Sequence, residues 1–224
     1  MIVAVDGPSG AGKSTVCREA AKRLSWNLLD TGAIYRCVAL LSLESGVQDE
    51  AGCGAIAADL PIRFEASARG QRVFLGARDV TEKIRSFEVT QRVNDVATMG
   101  LVRAELLGIQ RRLGRVGDVI VEGRDIGSVV FPDAGLKVFY TATPEARARR
   151  RQREFLAKGE TIDFEEVVAQ IRLRDETEYR REHSPLIQCP DAVVLDTSAL
   201  DFEGSCQALM SLIEERRHCL EVKP

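Results

Sequence analysis

Short apolar runs alternate along this chain with longer stretches in which apolar and polar positions recur at helical spacing. Ile2–Asp6 is an apolar run closed by Gly-Pro, the mark of a buried strand. From Ser14 to about Ser25 the spacing is helical. Leu28 and Leu29 suggest a second short strand, and Gly32 to about Leu43 reads as a helix. From about Leu60 the character changes. Pro61–Glu65 and Arg72–Leu75 read as short strands around a turn-like Ala68-Arg69-Gly70. Ser86–Thr98 and Leu101–Arg115 read as two helices broken near Gly100. Asp118–Val121 and Lys137–Tyr140 are β-rich strand candidates, and the Glu122–Gly127 segment between them reads as too polar and Gly-rich for a core element. Pro144 to about Leu156 is a basic helix with proline suited to its first turn. Phe164–Tyr179 is a further helix, Ala192–Leu195 a last strand, and Phe202–Arg217 a terminal helix.

Strands that alternate with helices predict a parallel sheet covered on both faces, an α/β fold, with residues 61–76 as a small antiparallel insertion. A chain of 224 residues can bury one sizeable core with small insertions. Neither an internal repeat nor a low-complexity linker interrupts it. The net charge of −3 argues against a general nucleic-acid binder, so any anionic ligand must be held by local clusters of arginine. Six cysteines without C-x-x-C spacing and only two histidines argue against a zinc site, and such scattered thiols suit packing in a reducing compartment. The apolar residues 2–5 run into a phosphate-loop motif too early for a cleavable signal, and no apolar run approaches the ~20 residues that span a bilayer. The expectation is a soluble, cytoplasmic protein with no membrane and no nucleic acid among its partners.

Gly7-Pro8-Ser9-Gly10-Ala11-Gly12-Lys13-Ser14 fits G-x-x-x-x-G-K-[ST] without mismatch, and Thr15 follows it into the helix. Glycines let backbone N–H groups line a concave anion nest, and the helix N-terminus adds its positive end. Lys13 is expected on the β- and γ-phosphates of ATP, and the Ser14 hydroxyl on Mg²⁺. This motif names the phosphoryl donor and leaves the acceptor open. The N-K-x-D guanine motif and the L-S-G-G-Q transporter motif are both absent, which leaves small-molecule kinases in front.

Two polar loops follow strands, where open α/β sheets bind ligands. Asp30-Thr31-Gly32-Ala33-Ile34-Tyr35-Arg36 offers the forked Arg36 donor to a phosphate, although Tyr35 and Arg36 alone would equally suit an amphipathic helix face. Glu122-Gly123-Arg124-Asp125-Ile126-Gly127 offers an arginine for phosphate and a carboxylate that can accept from the N4 amino group of cytosine. The same residues taken singly would serve as a surface turn.

Four segments occur in order: G-P-S-G-A-G-K-S, D-T-G-A-I-Y-R, E-G-R-D-I-G-S-V-V-F-P-D-A and R-D-E-T-E-Y-R-R-E-H-S-P-L. Together they resemble the bacterial cytidylate kinase family, and the resemblance covers essentially the whole chain. It implies a three-layer P-loop NTPase fold with a five-stranded parallel sheet, a small antiparallel insertion for the nucleoside monophosphate and a mobile helical lid. On that pattern the core is about 1–59, 86–144 and 186–224, the insertion about 60–85 and the lid about 145–185. It implies transfer of the γ-phosphoryl of ATP, with Mg²⁺, to CMP or dCMP by a monomer. The resemblance gives Thr31 to the acceptor sugar and phosphate, Tyr35 and Arg36 to the acceptor nucleotide, Arg103 to cytosine, Arg124 to phosphate, Asp125 to the base, and Arg174 and Arg181 to the lid side. Asn94 stands where relatives carry Ser in the base pocket, and Glu178 where the sugar-contacting residue is commonly Asp.

Arg147, Arg149, Arg150, Arg151 and Arg153 crowd one helix. They form either a solvated basic face or part of the charge clamp. Arg147 and Arg151, at i and i+4, share a face, and the resemblance sets Arg147 against adenine and Arg151 on phosphate. A continuous helix would bring Arg174 and Arg181 toward one side. Phosphoryl transfer needs in-line positioning and positive charge rather than a protein nucleophile, so Lys13, Arg124, Arg151 and Arg174 are the expected catalytic set. Glu122 or Asp6 would hold Mg²⁺-bound water, or either would be a capping or turn carboxylate. A UMP or AMP kinase, or another P-loop small-molecule kinase, is the alternative reading.

Overall fold

The computed structural model describes residues 1–67, 70–157 and 159–221. The expected turn residues Ala68 and Arg69 therefore lie outside the described residues. The chain forms two compact units, Met1–Leu28 with Gly117–Pro224, and Leu29–Val116.

Among the described residues a five-stranded parallel sheet runs in the order β2-β6-β1-β7-β8. Its strands are β1 (Ile2–Asp6), β2 (Asn27–Asp30), β6 (Val119–Gly123), β7 (Leu136–Thr141) and β8 (Val193–Asp196). The division between the two units falls inside β2. In the first unit, β1 is central because four of its five residues are buried, pairing Ile2 with Val119 on one side and Val3 with Leu136 on the other. Continuous apolar strands of this kind are what a sheet covered on both faces requires. α1 (Lys13–Leu24) packs beside α8 (Phe202–Glu221), and Val16, Cys17 and Ala20 join Leu209 and Ile213 in a core with Val3, Val5 and Val138. α6 (Pro144–Ala157) packs on α7 (Phe164–Arg180) through Ala148, Val167 and Val168.

The Glu122–Gly127 segment departs from its expected character as a non-core loop. Glu122, Asp125 and Ile126 are buried, and residues Ile126–Val130 form a π-helical turn. The buried Glu122 carboxylate is tolerable here because the Ser14 hydroxyl donates to it, as described below.

The second unit holds α2 (Thr31–Ser45), α3 (Glu50–Ala58), α4 (Phe87–Val96) and α5 (Gly100–Leu113), with the antiparallel sheet β3 (Ile62–Ser67), β4 (Gly70–Leu75) and β5 (Arg78–Asp79). Asp30 caps α2 by accepting from the Ala33 N–H at 3.1 Å, and Ser86 caps α4 through Val89. Helix α3 and strand β5 are additions to the expected elements. α3 is rich in Gly and Ala, so it carries little of the bulky apolar periodicity that marks a helix in sequence. Among the described residues no helix is long and apolar enough to cross a membrane.

Candidate active site

Beyond β1 the chain turns sharply at Gly7, where a Cβ would lie 1.8 Å from the Tyr140 carbonyl oxygen of β7. Only glycine permits that approach. The loop then feeds α1 at Lys13, whose buried Nζ donates to the Gly7 carbonyl at 2.6 Å and the Pro8 carbonyl at 3.0 Å. Burial pushes the Lys13 ammonium down to about 7, Arg124 adds to the effect, and Glu122 and Glu178 oppose it. The Ser14 hydroxyl donates to Glu122 Oε2 at 2.8 Å, which sets a hydroxyl beside a buried carboxylate at the end of β6.

Helix α6 grips this loop from outside. Arg147 Nη1 donates to the Ser9 carbonyl at 3.1 Å and Nε to the Ala142 carbonyl at 3.0 Å. Its fork pairs bidentately with Asp175 of α7, at 2.8 Å for Nη1 to Oδ1. Arg150 Nη1 donates to the Ala11 carbonyl at 2.6 Å, and its Nη2 to the Thr197 carbonyl at 2.5 Å. In a trans peptide the C=O and N–H point in opposite directions. Holding the Ser9 and Ala11 carbonyls therefore aims the Gly10 and Gly12 N–H groups the other way, as an anion nest requires. Asp175 was not among the residues expected from sequence, and Arg150 only as one of the five arginines crowding the helix. Arg151 is exposed, lies 5.7 Å over the Phe155 ring, and is near enough for its charge to help lower the Arg174 pKa, after burial, which is the larger cause, and Arg124.

The Glu178 carboxylate gathers the remaining cations. It accepts from the Ser9 N–H at 3.2 Å and from Arg124 Nε at 3.0 Å, and pairs with Arg174 Nε at 3.4 Å. Burial acts to raise its pKa, but Arg124, Arg174 and Lys13 outweigh it and hold the group below the usual carboxylate value. Arg181 does not continue the helix that carries Arg174. α7 ends at Arg180, Arg181 is extended with ψ of 143°, and its Nε donates to the Ser184 carbonyl. The shared helical face expected for the two arginines is thus lost, because the chain leaves the helix one residue too soon.

Asp6 closes the other side of the Arg124-Asp125 loop. Its two carboxylate oxygens accept from the Ile126 N–H at 2.8 Å and the Gly127 N–H at 2.7 Å. Burial pushes Asp6 up to about 6, the two amides oppose it, Asp125 adds to it, and Lys13 opposes it. These two hydrogen bonds are those of the turn-carboxylate role that sequence offered for Asp6.

In the second unit, Arg103 is 9% exposed, lies 5.3 Å over the Tyr35 ring and donates to the Ala97 carbonyl at 3.0 Å. Tyr35 Oη accepts from Gln110 Nε2 at 3.4 Å. Arg36 Nη1 donates to Thr90 Oγ1 at 2.8 Å and the Ile84 carbonyl at 3.2 Å. Thr31 is buried at the first turn of α2, beside the Asp30 cap that pairs with Arg85 at 3.6 Å. Exposed Asn94 lines a cavity of about 490 Å³ with Ser42, Val47, Gln48 and Arg92. That cavity's lining includes neither Tyr35 nor Arg103.

A family model for cytidylate kinase matches residues 3–215. A cytidylate kinase from Exiguobacterium sp. (strain ATCC BAA-1283 / AT1b) is 46% identical over 95% of this chain and 96% of its own length. One from Carboxydothermus hydrogenoformans is 44% identical over 98% of this chain and 100% of its own. A gluconokinase structure from Sinorhizobium meliloti 1021, 15% identical with a TM-score of 0.51, covers 99% of this chain and 97% of its own, and shows the fold alone.

Proposed function

The chain belongs to the cytidylate kinase family, and we propose that it moves the γ-phosphoryl group of ATP to CMP or dCMP, giving ADP and CDP or dCDP. The observation that carries the reading is the Glu178 carboxylate. A P-loop amide and two arginines meet on one anion, beside the buried Lys13. Groups assembled this way suit phosphate oxygens, since each is a charge-assisted donor.

The donor phosphates lie in the nest of residues 7–15, with Lys13 on the β- and γ-oxygens and Arg147 beside the adenine. An oxygen of the acceptor phosphate attacks the γ-phosphorus in line, the bond to the β-phosphate oxygen breaks, and ADP leaves. No protein nucleophile takes part. Lys13, Arg124, Arg151 and Arg174 meet the charge that spreads over the transferring group. Ser14 and Glu122 present adjacent hard oxygen donors, which fit Mg²⁺: the Ser14 hydroxyl would ligate it and Glu122 would accept from its bound water. When bound, the ion neutralises charge on the β- and γ-phosphates.

For the acceptor, Asp125 accepts from the cytosine amino group, and Arg103 and Asn94 also meet the base. Thr31, Tyr35 and Arg36 hold the sugar and phosphate, Arg124 the phosphate, and Glu178 and Arg181 the nucleotide from the lid side. Residues of about 60–85 serve as the nucleoside monophosphate insertion and about 145–185 as the lid, whose closure keeps water from the γ-phosphoryl. The protein works as a monomer, and in the cytoplasm, a reducing compartment that its scattered cysteines suit.

ADP production measured across CMP, dCMP, UMP, AMP and GMP tests this. CMP and dCMP are expected to lead. A preference for AMP or GMP with CMP inert would sink the assignment. Replacing Asp125 with Ala is expected to raise the CMP KM far more than the ATP KM.

A further inference from the structure

Asp6 ends the strand that leads into the phosphate loop, yet both of its carboxylate oxygens point away to the loop after β6. They accept from two consecutive amides, Ile126 at 2.8 Å and Gly127 at 2.7 Å, with Asp6 only 5% exposed. The peptide plane joining Asp125 to Ile126 is therefore held at both ends. Its N–H is on Asp6, and its carbonyl, that of Asp125, accepts from Val129 N–H at 2.9 Å and Val130 N–H at 3.1 Å. A plane fixed at both ends fixes ψ of Asp125, which stands at 25°. That torsion orders the backbone from which the Asp125 side chain projects. A Cβ at Gly127 would lie 3.4 Å from Asp6 Oδ2, an ordinary contact, and 3.1 Å from Lys137 Cδ.

We propose that Asp6 is a positioning residue whose carboxylate fixes the backbone of the Arg124-Asp125 loop and so sets how that loop meets the acceptor nucleotide. The proposal rests on the assignment of Arg124 and Asp125 to the acceptor. A carboxylate is needed because two N–H donors require two acceptor oxygens. Asparagine offers one, and its NH₂ would meet the second amide donor to donor. One amide on each Asp6 oxygen leaves a second lone pair, so this role stands independently of any part in holding metal-bound water.

Steady-state kinetics of Asp6→Asn, Gly127→Ala and Asp125→Ala, with CMP and UMP as acceptors, test it. Asp6→Asn is expected to raise the CMP KM about tenfold or more, as loss of a hydrogen bond to a charged group does, and to leave the ATP KM nearly unchanged. It is also expected to lower the CMP-over-UMP ratio of kcat/KM, which mere loss of folded enzyme would leave alone. Gly127→Ala, which keeps the Asp6 charge and sets a methyl 3.1 Å from the Lys137 side chain and 3.4 Å from Asp6 Oδ2, is expected to shift the same two quantities in the same direction. It serves alone if Asp6→Asn does not fold. An unchanged CMP KM and ratio in the folded variants, or equal rises for both substrates, would overturn the proposal while Asp125→Ala still raises the CMP KM. If Asp125→Ala leaves the CMP KM unchanged, the reading of the acceptor loop fails, and the proposal with it.

Discussion

Asp6 carries its charge where burial disfavours it, and two amides and a lysine make that charge tolerable. Its folded pKa, about 6, lies above the ordinary value of 3.8 for an aspartate. Between these values the folded chain binds more protons than the unfolded one, so stability from this group is present at low pH and is lost as pH rises through the window. Lys13 shifts in the opposite sense, from 10.5 to about 7, so its effect acts above the Asp6 window. The expectation is that the unfolding free energy of the parent minus that of Asp6→Asn falls by on the order of 3 kcal/mol between about pH 4 and 6, then levels. Urea titrations followed by tryptophan fluorescence would measure it, and a pH-independent difference would show that Asp6 is not shifted. Sequence offered Asp6 a turn or metal-water role but not the amides it would meet. Its partners lie 120 and 121 residues away. The phosphate loop was legible because its chemistry is local: eight consecutive residues supply the glycine turn, the lysine and the helix start.

The five arginines of α6 divide by face. Arg147 and Arg150 turn inward onto the Ser9 and Ala11 carbonyls, while Arg149, Arg151 and Arg153 are exposed. Helical spacing offered the stripes, but which stripe faces inward is decided by the loop that α6 packs against, which spacing cannot name. Similar reasons explain the other differences at this scale. The strands and most helices were legible from their periods. α3 was not, since Cys53, Gly54 and Ala57 are its buried residues and a Cβ at Gly54 would lie 3.1 Å from the Leu101 Cβ, so small residues are what this packing demands. Asp49, whose carboxylate accepts from the Gly52 N–H at 2.9 Å, was the one cap signal that could have found it. If Arg150 holds the P-loop in shape, Arg150→Ala should raise the ATP KM about tenfold with little effect on the CMP KM, whereas Arg149→Ala should change neither by more than about twofold. Equal effects of the two substitutions would mean that only the positive charge of α6 matters.

At the scale of the whole molecule, the residues assigned to the two nucleotides are unequally shared between the compact units. The P-loop, Arg147, Arg174 and Glu178 belong to the unit of Met1–Leu28 with Gly117–Pro224, and Thr31, Tyr35, Arg36, Asn94 and Arg103 to Leu29–Val116. The family pattern named these residues but not their partners: Arg103 against Tyr35, and Arg36 on Thr90, depend on tertiary packing. A ligand that binds the native state at a hundred times its Kd stabilises by about 2.7 kcal/mol, so amides that exchange through opening of the bound state slow by about a hundredfold. Hydrogen exchange should therefore tell the two sites apart. ADP is expected to slow peptides covering 7–15 and 145–152, with peptides covering 31–37 and 97–106 near their free rates. CMP is expected to slow 31–37, 97–106 and 123–128. Loss of the CMP effect on 31–37 and 97–106, with 123–128 still protected, would remove the Leu29–Val116 residues from the acceptor site and leave base recognition to the Arg124-Asp125 loop.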